Sequence, residues 1–359
     1  MGRWAGALGG AAVAAAAVLA LGMSGRAVAQ APAAAPAPPP CTPTADLKLI
    51  CGLKGAPEDL VHAPDSDWLI ASGYVPNSGE GGITLIDSVS KLAQRAALGG
   101  AKPRAPYTDC DGPPDAAHLS THGLNLKRTG RGKGLLYAVG HGGREAIEVY
   151  DVAAGGKDLP RLTWIGCIRP GAGASMNSVA PFADGRVAYT DFLHAPGTFR
   201  DMLAGKVTGA AYVWAPGKGA VKVEGSDLAG PNGIEVTPDG RWLFVAVTGT
   251  NEVLRFDLKT PGAAAAHIKP GLRTDNLRWA DGKLLLAGPD MSACTPGDRT
   301  CRGRLVVSAL DPKTLKVGLV MAVMSEPAFP ALSVGLIAHG EMWLGTPQGD
   351  RVAYRPLKP

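Results

Sequence analysis

The sequence predicts an all-β protein, a six-bladed β-propeller of four-stranded blades, and three observations support this fold class. Short runs of β-branched and aliphatic residues alternate with Gly, Pro, Asp and Asn along most of the chain. Asp-Gly turns recur between these runs at intervals of about 40 to 55 residues, a usual blade length. The chain after its N-terminal segment has room for about six such repeats. A β-sandwich or two separate β domains would not explain this interval.

The N-terminal 29 residues have the features of a secretory signal peptide. Arg3 supplies a positive charge, an Ala- and Leu-rich stretch runs to Leu21, and the triplet 27–29 offers a small-residue cleavage site. Residues 30–45 are rich in Ala and Pro and are predicted to form an extended linker, followed by the propeller domain over residues 46–359. This organisation predicts a periplasmic or secreted protein, with an uncleaved membrane anchor as the alternative.

Composition excludes some classes of partner. The formal net charge is +5, and the basic residues form no dense cluster that would bind phosphates, so we expect no nucleic-acid partner. We also expect no membrane contact after signal cleavage, and a monomer.

Six cysteines in an exported chain indicate disulfides rather than metal thiolates. Two of them bracket a turn-like loop and could be joined with little backbone movement. The alternative is that one or more thiols stay free and buried. The predicted pairings are Cys294 with Cys301, Cys41 with Cys51, and Cys110 with Cys167.

Nine segments downstream of the linker have strand-like composition. They are 135–139, 147–152, 187–190, 211–214, 243–247, 253–256, 284–287, 305–309 and 342–345. Turn sequences lie between short apolar stretches and several of these segments, as expected for β-hairpins. The turns are Ala183-Asp184-Gly185-Arg186, Pro238-Asp239-Gly240-Arg241, Ala280-Asp281-Gly282-Lys283 and His339-Gly340-Glu341.

Polar residues stand at the start of the predicted innermost strands, which a propeller brings together at its axis. Two carboxylates with three amide carbonyls form an all-oxygen set that suits Ca²⁺, and the set has no thiolate or imidazole that would favour zinc. The alternative for each member alone is a turn or a solvated loop residue. The candidate ligands are Glu58, Asn177, Asn232, Asp275 and Asn276.

The order and spacing of these motifs resemble the paraoxonase (arylesterase) family, a relative of the gluconolactonase and strictosidine-synthase-like propellers. The resemblance covers about residues 55–289, and less clearly the last blade through residue 345. It rests on 57–60 with 71–73, His122-Gly123-Leu124, Val139-Gly140-His141, Asn177-Ser178, 232–240 and Asp275-Asn276.

The resemblance implies an enzyme that hydrolyses small-molecule lactones or carboxylic esters. The five candidate ligands would hold one catalytic calcium, which polarises the substrate carbonyl. His122 and His141 fall on the positions of the family's proposed catalytic pair, which would take a proton from the attacking water. The alternative for the pair is a buried hydrogen-bonded histidine and a turn residue.

Two departures from the family pattern limit the transfer. The family's second, structural calcium uses Asp59, which is present, and another Asp where this chain has Ser178, so we predict a single calcium. Sugar-lactonase relatives place a metal-binding Asp where this chain has Val247, so the charge must come from Asp275 instead.

Two other functions remain open on the sequence alone. One is a calcium-stabilised propeller that binds a ligand or protein without turnover. The other is a condensing or isomerising enzyme of the strictosidine-synthase-like kind, with Glu58 as acid or base. Whichever function holds, loops 190–207 and 288–304 are expected to cover the channel mouth and to select the ligand, and Arg144 and Glu145 are expected to line it.

Overall fold

The computed structural model describes residues 41–76, 79–100, 102–294 and 303–357. Within these ranges the chain forms 25 strands and one short helix. The described helix is too short to cross a membrane. The predicted signal peptide lies outside the described residues.

Twelve strands precede the helix. All nine segments predicted as strands, in both halves of the chain, lie within strands of the structure. The first twelve strands are β1 (Lys48–Ile50), β2 (Leu60–His62), β3 (Trp68–Ser72), β4 (Ile83–Asp87), β5 (Ala93–Arg95), β6 (Leu98–Gly100), β7 (Leu119–Gly130), β8 (Lys133–Gly142), β9 (Ala146–Gly155), β10 (Asp158–Ile168), β11 (Met176–Pro181) and β12 (Val187–Asp191).

The helix and thirteen further strands complete the chain. Thr198 caps the helix N-terminus by accepting a hydrogen bond from the backbone N–H of Asp201. These elements are α1 (Phe199–Leu203), β13 (Ala210–Ala215), β14 (Gly219–Lys222), β15 (Pro231–Val236), β16 (Trp242–Val247), β17 (Glu252–Asp257), β18 (Ala266–Ile268), β19 (Leu277–Ala280), β20 (Lys283–Asp290), β21 (Arg304–Leu310), β22 (Val317–Met324), β23 (Val334–Ala338), β24 (Glu341–Gly345) and β25 (Val352–Pro356).

The strands form six sheets, which are the blades of a six-bladed propeller. Blades β2–β5, β11–β14, β15–β18 and β19–β22 are antiparallel and formed by consecutive strands. The last blade joins β23, β24 and β25 to β1, which pairs with β25. The remaining blade, β7–β10, gains β6 in parallel on its outer edge, so it has five strands where four were predicted.

The first strands of the six blades surround the axis. Each contacts the first strand of the next blade, in the order β2, β7, β11, β15, β19, β23 and back to β2. Apolar side chains fill the space between neighbouring blades; Ile70 and Leu85 of one blade, for example, pack in one cluster with Leu136 and Tyr150 of the next. Burying these side chains stabilises the ring at about 25 cal/mol for each Å² of apolar surface.

The predicted turns all connect the first strand of a blade to its second. They join β11 to β12, β15 to β16, β19 to β20 and β23 to β24. Gly240 in one of them has a φ of 68°, a conformation that glycine adopts without steric strain. The turn repeat therefore marks equivalent positions in successive blades.

Two of the three predicted disulfides are confirmed. Cys41 is bonded to Cys51, and Cys110 is bonded to Cys167 in β10. For the third predicted pair, Cys301 lies outside the described residues.

Candidate metal centre and histidine pair

A cavity of about 760 Å³ opens at one end of the propeller axis. Four of the five candidate ligands line it, namely Glu58, Asn177, Asn232 and Asp275, together with both candidate histidines. Asn276 is fully buried and does not line the cavity, but its Nδ2 donates to Glu58 Oε1 over 2.7 Å. The structure thus brings together seven residues that are spread over more than 200 positions of the sequence.

Local irregularities in the sheets point these side chains toward the axis. In three blades the pairing of the first strand with the second is interrupted at a candidate residue: at His122 in β7, at Asn177 in β11 and at Asn232 in β15. Such bulges re-aim side chains and are common beside functional sites.

The glycines that follow two of these residues allow the innermost strands to approach closely. A Cβ atom at Gly233 would lie 2.5 Å from the backbone carbonyl oxygen of Asp275. The same oxygen accepts a hydrogen bond from the backbone N–H of Gly233. A Cβ atom at Gly123 would collide with the carbonyl oxygen of Asn177 in the same way. The His-Gly and Asn-Gly pairs therefore combine a polar side chain with a close backbone contact.

Four of the candidate ligands carry a buried oxygen that has no hydrogen-bond partner among the described residues. An unpaired buried polar atom destabilises a protein by about 1 to 3 kcal/mol, so four of them near one another indicate that a ligand is needed. The oxygens are Glu58 Oε2, Asn177 Oδ1, Asn232 Oδ1 and Asn276 Oδ1.

The amide nitrogens of the same residues face protein groups. Asn232 Nδ2 donates to Thr248 Oγ1 over 3.1 Å, and Asn276 Nδ2 donates to Glu58. This orientation leaves the amide oxygens without a hydrogen-bond partner among the described residues and available as metal ligands. Thr274 adds another buried hydroxyl without a partner among the described residues, and it lines the cavity too. Neither threonine was predicted.

The two carboxylates of the set are in an environment that opposes negative charge. Burial, and then the charges of Asp275 and Asp59, raise the pKa of Glu58 well above its usual value. Burial raises the pKa of Asp275 to about 7, and the charge of Asp59 adds to this effect. A bound cation would relieve both effects.

The residues present fit a hard divalent cation. Ca²⁺ takes six to eight oxygens from carboxylates, amides, carbonyls and water, and this set supplies two carboxylates and three amides. Among the described residues no group of three or more His, Cys, Asp and Glu side chains could hold a metal. A metal at this position would therefore need the amide oxygens.

The two histidines form a hydrogen-bonded chain that ends in a carboxylate. His122 Nδ1 lies 3.1 Å from His141 Nε2, and His141 Nδ1 lies 2.7 Å from Glu145 Oε2. The other oxygen, Glu145 Oε1, accepts the backbone N–H of Met176 over 2.6 Å. Tyr74 stacks on the His122 ring with centroids 4.1 Å apart. Each member of the chain is thus held in one orientation.

The carboxylate end of this chain determines the tautomer of both rings. An ionised Glu145 can only accept, so Nδ1 of His141 carries the proton and its Nε2 accepts from Nδ1 of His122. Nε2 of His122 therefore carries a lone pair, which faces the donor Asn177 Nδ2 at 3.5 Å and lies 3.8 Å from Glu58 Oε1. Burial, with the charge of His141 as a second cause, lowers the pKa of His122 well below its usual value, so the ring is neutral near pH 7.

The expectations for the channel mouth are only partly met. Residues of both predicted loops line the cavity, including Phe192, Phe199 and Pro289. Arg144 and Glu145 do not line it: Arg144 pairs with the buried Glu148, and Glu145 bonds His141. Both residues lie between β8 and β9, so the conformation of this hairpin sets the direction of their side chains. The sequence shows only that Glu145 follows His141 by four residues.

The fold and this cluster define a six-bladed propeller with an oxygen-rich centre on its axis. A family model described as the SMP-30/Gluconolactonase/LRE-like region matches residues 130–318, more than half of the chain. The chain belongs to this family. The matched region contains His141, Asn177, Asn232, Asp275 and Asn276, whereas Glu58 and His122 precede it.

Solved structures show the same architecture. A luciferin-regenerating enzyme aligns with a TM-score of 0.51 at 11% identity, covering 87% of this chain and 95% of its own. A putative gluconolactonase aligns with a TM-score of 0.51 at 18% identity, covering 88% and 96%. At these identities the likeness concerns the fold alone. No curated protein sequence matches the chain.

Proposed function

We propose that the protein is a calcium-dependent hydrolase of lactones or carboxylic esters, with a site arranged as in the paraoxonases. Four buried oxygens without a hydrogen-bond partner in the described part of the chain lie beside the Nε2 lone pair of His122, and they carry this proposal. Membership of a family named after a gluconolactonase supports a lactonase-type reaction. Glu58, Asn177, Asn232, Asp275 and Asn276 would hold the ion.

In the proposed reaction His122 acts as the general base. Its Nε2 accepts a proton from water, the water oxygen attacks the carbonyl carbon, and the same nitrogen returns the proton to the leaving oxygen as the ester or lactone C–O bond breaks. Calcium, when bound, supplies positive charge that polarises the carbonyl and stabilises the developing oxyanion. Glu145, acting through His141, stabilises the positive charge that His122 acquires.

The cavity favours substrates with an apolar portion. The polar ligands lie together, whereas much of the remaining lining is apolar and includes Val75, Met176, Phe192, Leu193, Phe199 and Leu332. A volume of about 760 Å³ is within the range of small-molecule sites. We therefore propose lactones or aryl esters with an alkyl or aromatic substituent, bound with the scissile bond at the polar side.

Calcium removal tests the proposed function directly. We expect a chelator to abolish hydrolysis of phenyl acetate and of alkyl-substituted lactones, and added calcium to restore it, because the carbonyl loses its electrostatic stabilisation. Circular dichroism before and after chelation is the control for folding. Full turnover by metal-free protein would contradict the proposal, and calcium-loaded protein that hydrolyses no member of a broad panel would favour the binding propeller.

The role of Glu145 predicts a selective loss of rate. Glu145→Gln keeps the side-chain shape but removes the charge, so kcat should fall by about 10- to 100-fold, with KM and calcium content unchanged. Glu145→Asp should recover part of the rate. Glu252→Gln is a matched control, because Glu252 contacts the exposed His267 over 3.1 Å. An unchanged kcat for Glu145→Gln would remove Glu145 from the mechanism.

We also propose that the protein is exported to a periplasmic or extracellular space. The signal-like N-terminus supports this location, as do the two disulfides, which persist in oxidising compartments. Recovery of the protein only from the cytoplasm, with Met1 or Gly2 at its N-terminus, would contradict it.

A further inference from the structure

Arg278 places a positive charge on the propeller axis, further along the innermost strands than the candidate metal centre. It lies in β19, two residues beyond Asn276, and only 4% of its surface is exposed. Together with Glu235 it lines a second cavity of about 450 Å³, which is formed by later residues of the same strands. This cavity is the opposite end of the channel.

The guanidinium group is surrounded by oxygen atoms from several blades. Nε donates to Leu60 O over 3.0 Å, and Nη1 donates to Leu277 O over 2.7 Å. Nη2 donates to Leu124 O and to the carboxylate of Asp59. Nη1 also lies 3.4 Å from Glu235 Oε1. These five contacts match the five N–H donors of arginine.

Three backbone carbonyls and two carboxylates around one positive charge form the type of shell that also holds a hard cation. Here the guanidinium of Arg278 stands at the centre of the shell in place of an ion. Its contacts join four innermost strands, β2, β7, β15 and β19. Both oxygens of Asp59 also accept a backbone hydrogen bond: Oδ1 from the N–H of Leu60, and Oδ2 from the N–H of Leu124. Because Oδ2 accepts from Arg278 as well, the guanidinium occupies the side of this carboxylate that an ion would need.

The serine that was predicted to weaken a second calcium site also has a contact within the protein. Ser178, which stands where the resembling family has Asp, is fully buried, and its Oγ faces the N–H of Ile234 over 3.4 Å. The residues near Asp59 therefore do not fit a structural calcium. A divalent ion would meet the charge of Arg278 in a space that the guanidinium fills.

We infer that Arg278 is a built-in cation that replaces a second metal ion in the channel. The protein then binds one calcium rather than two, and the strands around the axis remain joined when that calcium is removed. This inference concerns the number of ions and the stability of the fold, so it does not depend on the hydrolase activity.

Removing the guanidinium should create the missing site. Arg278→Ala leaves the carboxylates of Asp59 and Glu235 and three carbonyls around a space that calcium can enter. We expect one more calcium per chain in this variant than in the wild type, measured by elemental analysis after equilibrium dialysis. We also expect calcium at about 100 times its dissociation constant to raise the variant's thermal midpoint by about 5 °C more than the wild type's.

Arg104→Ala removes an exposed arginine that pairs with Asp151 and is the matched control; it should bind as many ions as the wild type. Equal calcium content in Arg278→Ala and wild type would overturn the inference. If the variant does not fold even with calcium, the inference is tested on the wild type alone. A wild-type protein that binds two calcium ions per chain, or that unfolds when calcium is chelated, would overturn the inference. The comparison counts ions, so its failure is distinguishable from a failure of the proposed hydrolysis.

Discussion

Glu58→Gln is expected to abolish calcium binding and to lower kcat/KM for the best ester or lactone by at least about a thousandfold, since a metal Lewis acid supplies several kcal/mol of stabilisation in the transition state. Glu58 is 1% exposed, and its Oε2 has no hydrogen-bond partner among the described residues. Glutamine preserves the volume and one carbonyl oxygen. It removes one of the two negative charges that balance a dication, so the remaining amide and carboxylate oxygens would hold the ion far less tightly.

The readouts are calcium content and steady-state kinetics on the same preparation. Glu224→Gln, at an exposed position, is the matched control and should leave both unchanged. Asp275→Asn should reproduce the double loss, since Asp275 supplies the other charge. Wild-type turnover by Glu58→Gln or by Asp275→Asn would show that the assigned ligands do not form the centre.

His122→Gln is expected to lower kcat by about a hundredfold while calcium content stays at the wild-type level, in the range that general-base catalysis contributes. Nε2 of His122 carries the lone pair at the cavity end of the histidine chain, where its hydrogen-bond partner among the described residues is Asn177 Nδ2, 3.5 Å away. Glutamine can keep a hydrogen bond to His141, but it cannot take a proton from water. The residual rate would come from the polarised carbonyl alone.

His118→Gln is the matched control for this substitution. His118 is close in sequence, but its side chain is 60% exposed and pairs with Asp115 rather than with the site. We expect wild-type kinetics for it. Unchanged kcat in His122→Gln would remove this ring from the mechanism, and loss of calcium in that variant would assign it to the metal centre instead.

The repeating part of the fold was predictable because each blade repeats one pattern of turn and strand. The Asp-Gly turns at Asp184, Asp239 and Asp281 gave the blade interval and located the innermost strands. The fifth strand of the β7–β10 blade was missed because β6 (Leu98–Gly100) is three residues long and pairs in parallel with the distant β10. Pairing of β1 with β25 is equally non-local, and no local pattern encodes it.

The candidate ligands were found for a related reason: a polar residue before an apolar strand start is visible in sequence, as at Asn177 and Asn232. Glu145 was missed as a partner of His141 because the hairpin between β8 and β9 sets its direction. Arg278 was missed because it stands inside a strand, where an arginine is usually solvated; only the ring of neighbouring carbonyls shows that it is buried.

The pairing of β1 with β25 ties the first described strand to the last, with Lys48 opposite Tyr354 and Ile50 opposite Val352. A chain that is made, or threaded through a translocation pore, from its N-terminus cannot assemble this blade until its final residues emerge. Five blades can form earlier, but the circle stays open for most of that time. The ring therefore closes only when synthesis or passage is nearly finished, and a chain that stops short of Val352 cannot complete the blade that closes it.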